Sequence, residues 1–189
     1  MMRMPITVYF ATSNKHKFRE AAEILSNYGI NLKHFYFRHS EIRSDSIVKI
    51  AIEAVDAAYA KLKKPVFVED TGLFIESLKG FPGTYSRWVL ERIGCEGLLQ
   101  LMKNNKNRYA EFRACISFKN GRTAKTFLGT CKGMIAEKKQ GKSGFGYDSV
   151  FFPKGKKRTF AEDTDVKKSL SHRKVALTKL ASFLCSRNI

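Results

Sequence analysis

Pro65-Val66-Phe67-Val68-Glu69-Asp70-Thr71-Gly72-Leu73-Phe74-Ile75 is the stretch from which the organisation of the chain is read. Val66, Phe67 and Val68 suit a pleated, buried surface, so a strand is expected there. Two carboxylates then arrive together, and Thr71-Gly72 is expected to break the run before a second apolar segment begins. The acids therefore stand where a buried strand surfaces. Side chains alternate faces along a strand, so Glu69 and Asp70 meet one ligand together only if the backbone turns, which Gly72 would permit. One acid is expected to do chemistry while the other supports it; two solvated acids at a strand end are the plain alternative.

Upstream, Ile6 to Ala11 reads as a buried strand, and Thr12-Ser13-Asn14 offers capping side chains before Phe18, Ala21, Ala22 and Leu25 set a helical period ending at Gly29. A helix starting directly after a strand presents N–H groups to an anion, and Lys15 and Lys17 add charge beside them. A second strand is expected over Leu32 to Phe37. A polar segment, His39 to Ser46, precedes a long amphipathic helix from Ile47 to Leu62. Strand, helix, strand, helix, strand in this order predicts an α/β layer with parallel pairing.

Downstream, the aromatic loop Lys79 to Trp88 leads to one short helix ending near Gly94 and another from Glu96 to Lys103. Tyr109 to Phe118 places Ala110, Phe112, Ala114, Ile116 and Phe118 on one face. Asn120-Gly121 predicts a two-residue hairpin turn, with a return through Thr126 to Met134. The sheet is therefore expected to be mixed. Gly141-Lys142-Ser143 imitates the end of a phosphate-binding Walker loop, but Ala136 stands where its first glycine belongs and no helix is predicted to follow. In Gly144-Phe145-Gly146-Tyr147-Asp148 the glycines admit a close approach, and an aromatic there suits stacking on a base. Ser171-His172-Arg173 opens a last helix whose Ala176, Leu177, Leu180, Ala181 and Leu184 face inward.

The 189 residues, 43% hydrophobic with 15 Phe, suffice for one domain with its own core, and residues 1–189 are read as that domain. No apolar run approaches membrane-spanning length and the N-terminus carries no signal-peptide core, so a soluble, cytoplasmic protein without a membrane partner is expected. Cys95, Cys115, Cys131 and Cys185 are widely spaced and expected to be reduced thiols, with no zinc pattern. Lys and Arg number 35 against 17 Asp and Glu, a net charge of +18 that attracts polyanions.

Five motifs, in order, resemble the inosine triphosphate pyrophosphatase, or Ham1-like, family. They are Thr12-x-Asn14-x-x-Lys17, Glu69-Asp70-Thr71-Gly72-Leu73, Phe81-Pro82-Gly83-x-Tyr85-Ser86, Gly144-Phe145-Gly146-Tyr147-Asp148 and Ser171-His172-Arg173. The resemblance covers nearly the whole chain. It implies an elongated α/β fold with a central twisted mixed β-sheet flanked by helices, two lobes with a cleft between them, and a homodimer. It also implies Mg²⁺-dependent attack of water on the α-phosphorus of a non-standard purine nucleoside triphosphate (ITP, dITP or XTP), releasing the monophosphate and pyrophosphate. By the same resemblance Asp70 and Glu69 are the catalytic acids, and Glu41 and Asp70 serve the metal. Thr12, Asn14, Lys17, Thr71 and Lys167 hold phosphates, Phe145 stacks on the base, and Gly146, Tyr147, Asp148, His172 and Arg173 complete the base site. The chain departs from the family where many members carry lysine in place of Ala54 and asparagine in place of Lys168.

This chemistry agrees with the residue types. Mg²⁺ at phosphate sites takes one or two carboxylates plus phosphate oxygens, lysines neutralise the rest, and either Glu69 or Asp70 is placed to accept the proton of a metal-bound water. Two rivals are a basic nucleic-acid-binding protein and a pyrophosphatase of ordinary nucleotides. Against the first, the acids cluster in the motifs themselves and no RNA-recognition strand motif is present, which leaves at most weak, salt-sensitive, non-specific nucleic-acid binding.

Overall fold

The computed structural model describes residues 6–39 and 42–187. Seven strands among them form one open sheet in the order β2 (Asn31–Phe35), β1 (Thr7–Ala11), β3 (Val66–Ile75), β5 (Tyr109–Lys119), β6 (Ala124–Ile135), β7 (Phe151–Pro153), with β4 (Pro82–Gly83) paired to β3. The chain divides into two compact units, one of residues 1–70, 114–129 and 173–189, the other of residues 71–113 and 130–172.

In the first unit, β1 (Thr7–Ala11) pairs in parallel with β2 (Asn31–Phe35) along its whole length, from Thr7 opposite Asn31 to Ala11 opposite Phe35. Its other side pairs in parallel with β3 (Val66–Ile75), Tyr9 opposite Val66 and Phe10 opposite Phe67. Strand alternation sends Val8, Phe10 and Phe67 into a core with Leu25 of α1 (Lys15–Ser26) and with Leu177 and Leu180 of α5 (His172–Arg187). Val66 and Val68 point the other way and pack with Ile47, Ala51, Val55 and Ala58 of α2 (Ile47–Leu62). The Phe10 and Phe67 rings stack at 4.5 Å, which fixes the β1–β3 register on the α1 side.

In the second unit, the tail of β3 pairs antiparallel with β4 (Pro82–Gly83), Leu73 opposite Gly83. The end of β6 (Ala124–Ile135) pairs antiparallel with β7 (Phe151–Pro153), Gly133 opposite Pro153. Parallel and antiparallel pairs together make the sheet mixed. Leu73, Ile75, Leu98, Met102, Phe112, Phe151 and Phe160 form this unit's core. The two helices expected here run end to end within α3 (Ser86–Leu101): Gly94, at φ 65° and ψ −170°, leaves the helical conformation and divides them. A further helix, α4 (Thr164–Leu170), capped by Asp163, was not expected from the sequence.

Two turn expectations are corrected. β3 runs on through Thr71 and Gly72 without a break. Gly72 serves space, not turning: a Cβ there would lie 2.3 Å from the carbonyl oxygen of Gly83 in β4. The β5 (Tyr109–Lys119) to β6 hairpin has its two-residue tip at Gly121-Arg122, one position later than expected: Asn120 N–H donates to the Thr123 carbonyl at 3.1 Å, and the Asn120 side chain accepts from the Arg122 and Thr123 N–H groups.

Candidate active site

Two groups of side chains gather the residues singled out in the sequence. The first lies in the first unit. One turn of α1 separates Lys17 from Glu20, so both side chains lie on one face. Lys17 Nζ donates to the backbone carbonyl of Glu69 at 3.1 Å and stands 3.4 Å from Glu69 Oε1. Arg173, in the first turn of α5, donates from Nε to Glu69 Oε2 at 2.9 Å and from Nη2 to Glu69 Oε1 at 2.7 Å. Its Nη1 donates to Glu20. The Glu69 side chain is completely buried and that of Arg173 is 2% exposed.

A buried charge of either sign is tolerated only when paired and hydrogen-bonded. Here two acids and two bases complete each other. Burial by itself would lower the Arg173 pKa, but the carboxylates of Glu69 and Glu20 outweigh it and hold it above that of a free guanidinium. Glu69, expected as a catalytic acid, accepts from Arg173 at both carboxylate oxygens. Arg173, expected at the base edge, turns each of its three nitrogens onto a carboxylate. Glu20, the fourth member, was missed because the helical reading followed the apolar period and gave its polar face no role.

Asp70, the next residue on β3, is half-buried. The buried thiol of Cys115 registers its charge: burial first, then the negative charges of Asp70 and Glu69, push the Cys115 pKa up to about 12. No group of three or more His, Cys, Asp and Glu able to cage a metal exists among the described residues. Asp70 is the donor type that a hard cation such as Mg²⁺ takes alongside phosphate oxygens and water. Glu41, expected as a second metal acid, lies outside the described residues. At the start of α1, Asn14 accepts from the N–H groups of His16 and Lys17, and Thr12 Oγ1 accepts from Asn14 N–H. Two of the N–H groups expected to await an anion are thus already capped. Thr71 follows Asp70 on β3, in the second unit.

The second group lies in that unit. Asp148 Oδ2 accepts from Phe145 N–H at 2.7 Å and from Lys167 Nζ at 2.7 Å, and Lys167 Nζ also stands 4.3 Å from the centre of the Phe145 ring. Gly144 makes this approach possible: at φ +78°, a Cβ would sit 2.3 Å from Asp148 Oδ2. Lys167 was expected on phosphate; the structure puts it instead with the loop that carries Phe145, its side chain 8% exposed. Gly146 lies in the same loop. Tyr147 points inward, its hydroxyl donating to the backbone carbonyl of Ser86 at 2.9 Å, so its side chain anchors the loop. His172 lies flat against Phe112, ring centres 4.7 Å apart.

The sequence profile of the Ham1 family matches residues 8–183. The chain is 40% identical over 185 residues to the dITP/XTP pyrophosphatase of Saccharolobus solfataricus, covering 97% of this chain and 96% of that one. It is 43% identical over 178 residues to the dITP/XTP pyrophosphatase of Methanopyrus kandleri, covering 93% and 95%. Among solved structures, the Ham1 protein of Staphylococcus aureus superposes with a TM-score of 0.82 at 30% identity, over 95% of this chain and 98% of that one.

Proposed function

This chain belongs to the Ham1 family, and from that premise we propose that it hydrolyses the triphosphates of non-standard purine nucleosides, ITP, dITP and XTP, to the monophosphate and pyrophosphate. The proposal is carried by one observation above the others: an ammonium and a carboxylate, Lys167 and Asp148, stand 2.7 Å apart beneath an aromatic ring. A 6-oxopurine presents an acceptor, O6, beside a donor, N1–H. Lys167 can donate to the first and Asp148 accept from the second, while Phe145 stacks on the ring. Gly146 lets the base approach the loop backbone, and His172, stacked on Phe112, completes the proposed base site.

In the reaction a water oxygen bonds to the α-phosphorus, the bond from that phosphorus to the α,β-bridging oxygen breaks, and pyrophosphate leaves with the electron pair. Mg²⁺, when bound, neutralises phosphate charge and acidifies a water. Asp70 is proposed to hold it, with Glu41 as a second acid, and to be the proton acceptor, since the Glu69 oxygens are occupied. Lys17, with Thr12, Asn14 and Thr71, is proposed to meet phosphate oxygens. Glu69 and Arg173 hold Lys17 and β3 in place.

We take the protein to act as a single catalytic domain over residues 1–189, in the cytoplasm, as a homodimer. No helix among the described residues is long and apolar enough to cross a membrane. Phe81, Tyr85 and Trp88, 39%, 41% and 58% exposed, offer an apolar surface for a second copy. Pyrophosphate release from ITP, dITP, XTP, GTP and ATP, with Mg²⁺ and with EDTA, tests the assignment. Strong Mg²⁺-dependent release from the first three is expected. Equal release from ATP would favour a pyrophosphatase of ordinary nucleotides, and no release from any would end the proposal.

A further inference from the structure

The positive charge of this chain is not evenly spread. Between residues 137 and 158 the sequence carries Lys138, Lys139 and Lys142 in one turn and Lys154, Lys156, Lys157 and Arg158 in another, against only Glu137 and Asp148. All seven cations are exposed, whereas Asp148 is buried on Lys167. Only Lys139 has an ion-pair partner, Glu96, among the described residues.

The two turns are fastened to one another. Thr159 Oγ1 donates to the Gln140 carbonyl at 2.8 Å, and Ser143 N–H donates to the Ala161 carbonyl at 3.4 Å. Gly141 allows the contact, since a Cβ there would lie 2.4 Å from the Ala161 carbonyl carbon. The second turn is closed by Lys156 N–H on the Pro153 carbonyl at 3.0 Å, and Lys154 N–H reaches the Lys132 carbonyl of β6 at 2.8 Å, bringing an eighth exposed cation alongside. Like charges gathered on a backbone held this firmly repel one another. A polyanion covering the turns relieves that repulsion.

We infer that the paired turns 137–142 and 153–158 form a docking surface for the phosphate backbone of nucleic acid. The inference is independent of the catalytic proposal and uses none of its residues. Lysines with no aromatic side chain among them contact phosphates and read no bases, so binding is independent of sequence. A membrane surface is the less suited partner: basic segments that hold to lipid add apolar side chains or an acyl chain, and the exposed residues of these turns are Glu, Lys, Arg and Gly.

The test uses the full chain and a labelled oligouridylate about twenty nucleotides long, followed by fluorescence anisotropy between about 50 and 200 mM salt. One variant carries Lys154→Gln, Lys156→Gln, Lys157→Gln and Arg158→Gln. A control removes the same charge elsewhere through Lys33→Gln, Lys49→Gln, Lys61→Gln and Lys64→Gln. Removing four phosphate contacts should lower the slope of log affinity against log salt by about 3 and weaken binding at least tenfold at low salt, roughly as counterion release predicts. The control should change affinity less than about threefold. Equal losses in both variants would reduce the effect to net charge and overturn the surface. So would undetectable binding by the parent, or binding to anionic phosphatidylserine vesicles without binding to the oligonucleotide. Unchanged melting temperature and turnover in the turn variant are expected, because its side chains are exposed and lie outside the proposed site.

Discussion

Arg173 and Glu69 face each other through two guanidinium nitrogens, 2.9 and 2.7 Å from the carboxylate oxygens, with almost no exposure of either side chain. Such a pair contributes little net stability against well-packed apolar residues, yet breaking it leaves a buried charge alone, at about 3–5 kcal/mol. Glu69→Gln should therefore destabilise the chain by about 3–5 kcal/mol in urea unfolding. Glu20→Gln should cost clearly less, since the Glu20 side chain is 28% exposed and water screens the loss. The double variant Glu69→Met with Arg173→Met should recover most of the stability without recovering turnover. Recovery of turnover as well would show that the pair only packs.

Asp70, half-buried at the next position of β3, is the acid proposed to hold the metal. Asp70→Asn keeps shape and loses the charge a hard cation requires, so Mg²⁺-dependent turnover should fall at least about a hundredfold while the melting temperature stays within a few degrees. Turnover near that of the parent at saturating Mg²⁺ would remove Asp70 from the reaction.

Gly72 separates packing from flexibility. A Cβ at this position would meet the Gly83 carbonyl at 2.3 Å and its carbon at 2.8 Å, so Gly72→Ala must push β4 off β3, at about 1–3 kcal/mol for an overpacked site. An alanine variant as stable as the parent would mean that β4 yields freely.

Residue patterning made β1, α2 and the inward face of α5 legible: Ile47–Leu62 appears with the bounds its apolar period gives, because a strong period and the Ser46 cap agree. What the sequence does not show has one cause, partners distant in the chain. Gly72 reads as a turn because the strand that crowds it lies eleven residues on. The helix break at Gly94 is legible, since the glycine's own backbone carries it. The meeting of Glu69 with Arg173, and of Lys167 with Asp148 at 2.7 Å, is not legible within either motif, because folding alone joins each pair.

Cys115 supplies a pH test. Its folded pKa is raised from 9.0 to about 12, so the folded chain keeps a proton that the unfolded chain releases above pH 9. Its contribution is fully present below pH 9 and is lost as pH rises toward 12. At pH 10 the unfolded state gains about 1.4 kcal/mol from this one thiol. Between pH 8 and 10, urea-derived stability of the parent should therefore fall by about 1.4 kcal/mol more than that of Cys115→Ala. Parallel pH profiles would place this thiol's ionisation outside the folding equilibrium.

The base preference turns on Lys167 and Asp148. Inosine and xanthine set O6 beside N1–H, an acceptor beside a donor. Adenine sets its amino group beside an unprotonated N1, the reverse order, and would bring donor against the ammonium and acceptor against the carboxylate. Each unmatched buried group costs about 1–3 kcal/mol, and sites built on hydrogen bonds reach discrimination of about 10⁴. Guanine shares O6 and N1–H, so only its 2-amino group distinguishes it, and GTP should fall between ITP and ATP. Lys167→Met removes the donor, and the ratio of kcat/KM for ITP over ATP should drop at least about tenfold. The ratio is the readout because any loss of folded protein, expected when one partner of a buried pair is removed, lowers both activities equally. Arg173→Lys, by contrast, disturbs the clamp on Glu69 and should reduce both activities with the ratio kept. If Arg173→Lys collapsed the ratio while Lys167→Met preserved it, the guanidinium would leave its carboxylates to read the base, and the assignments of the two cations would be exchanged.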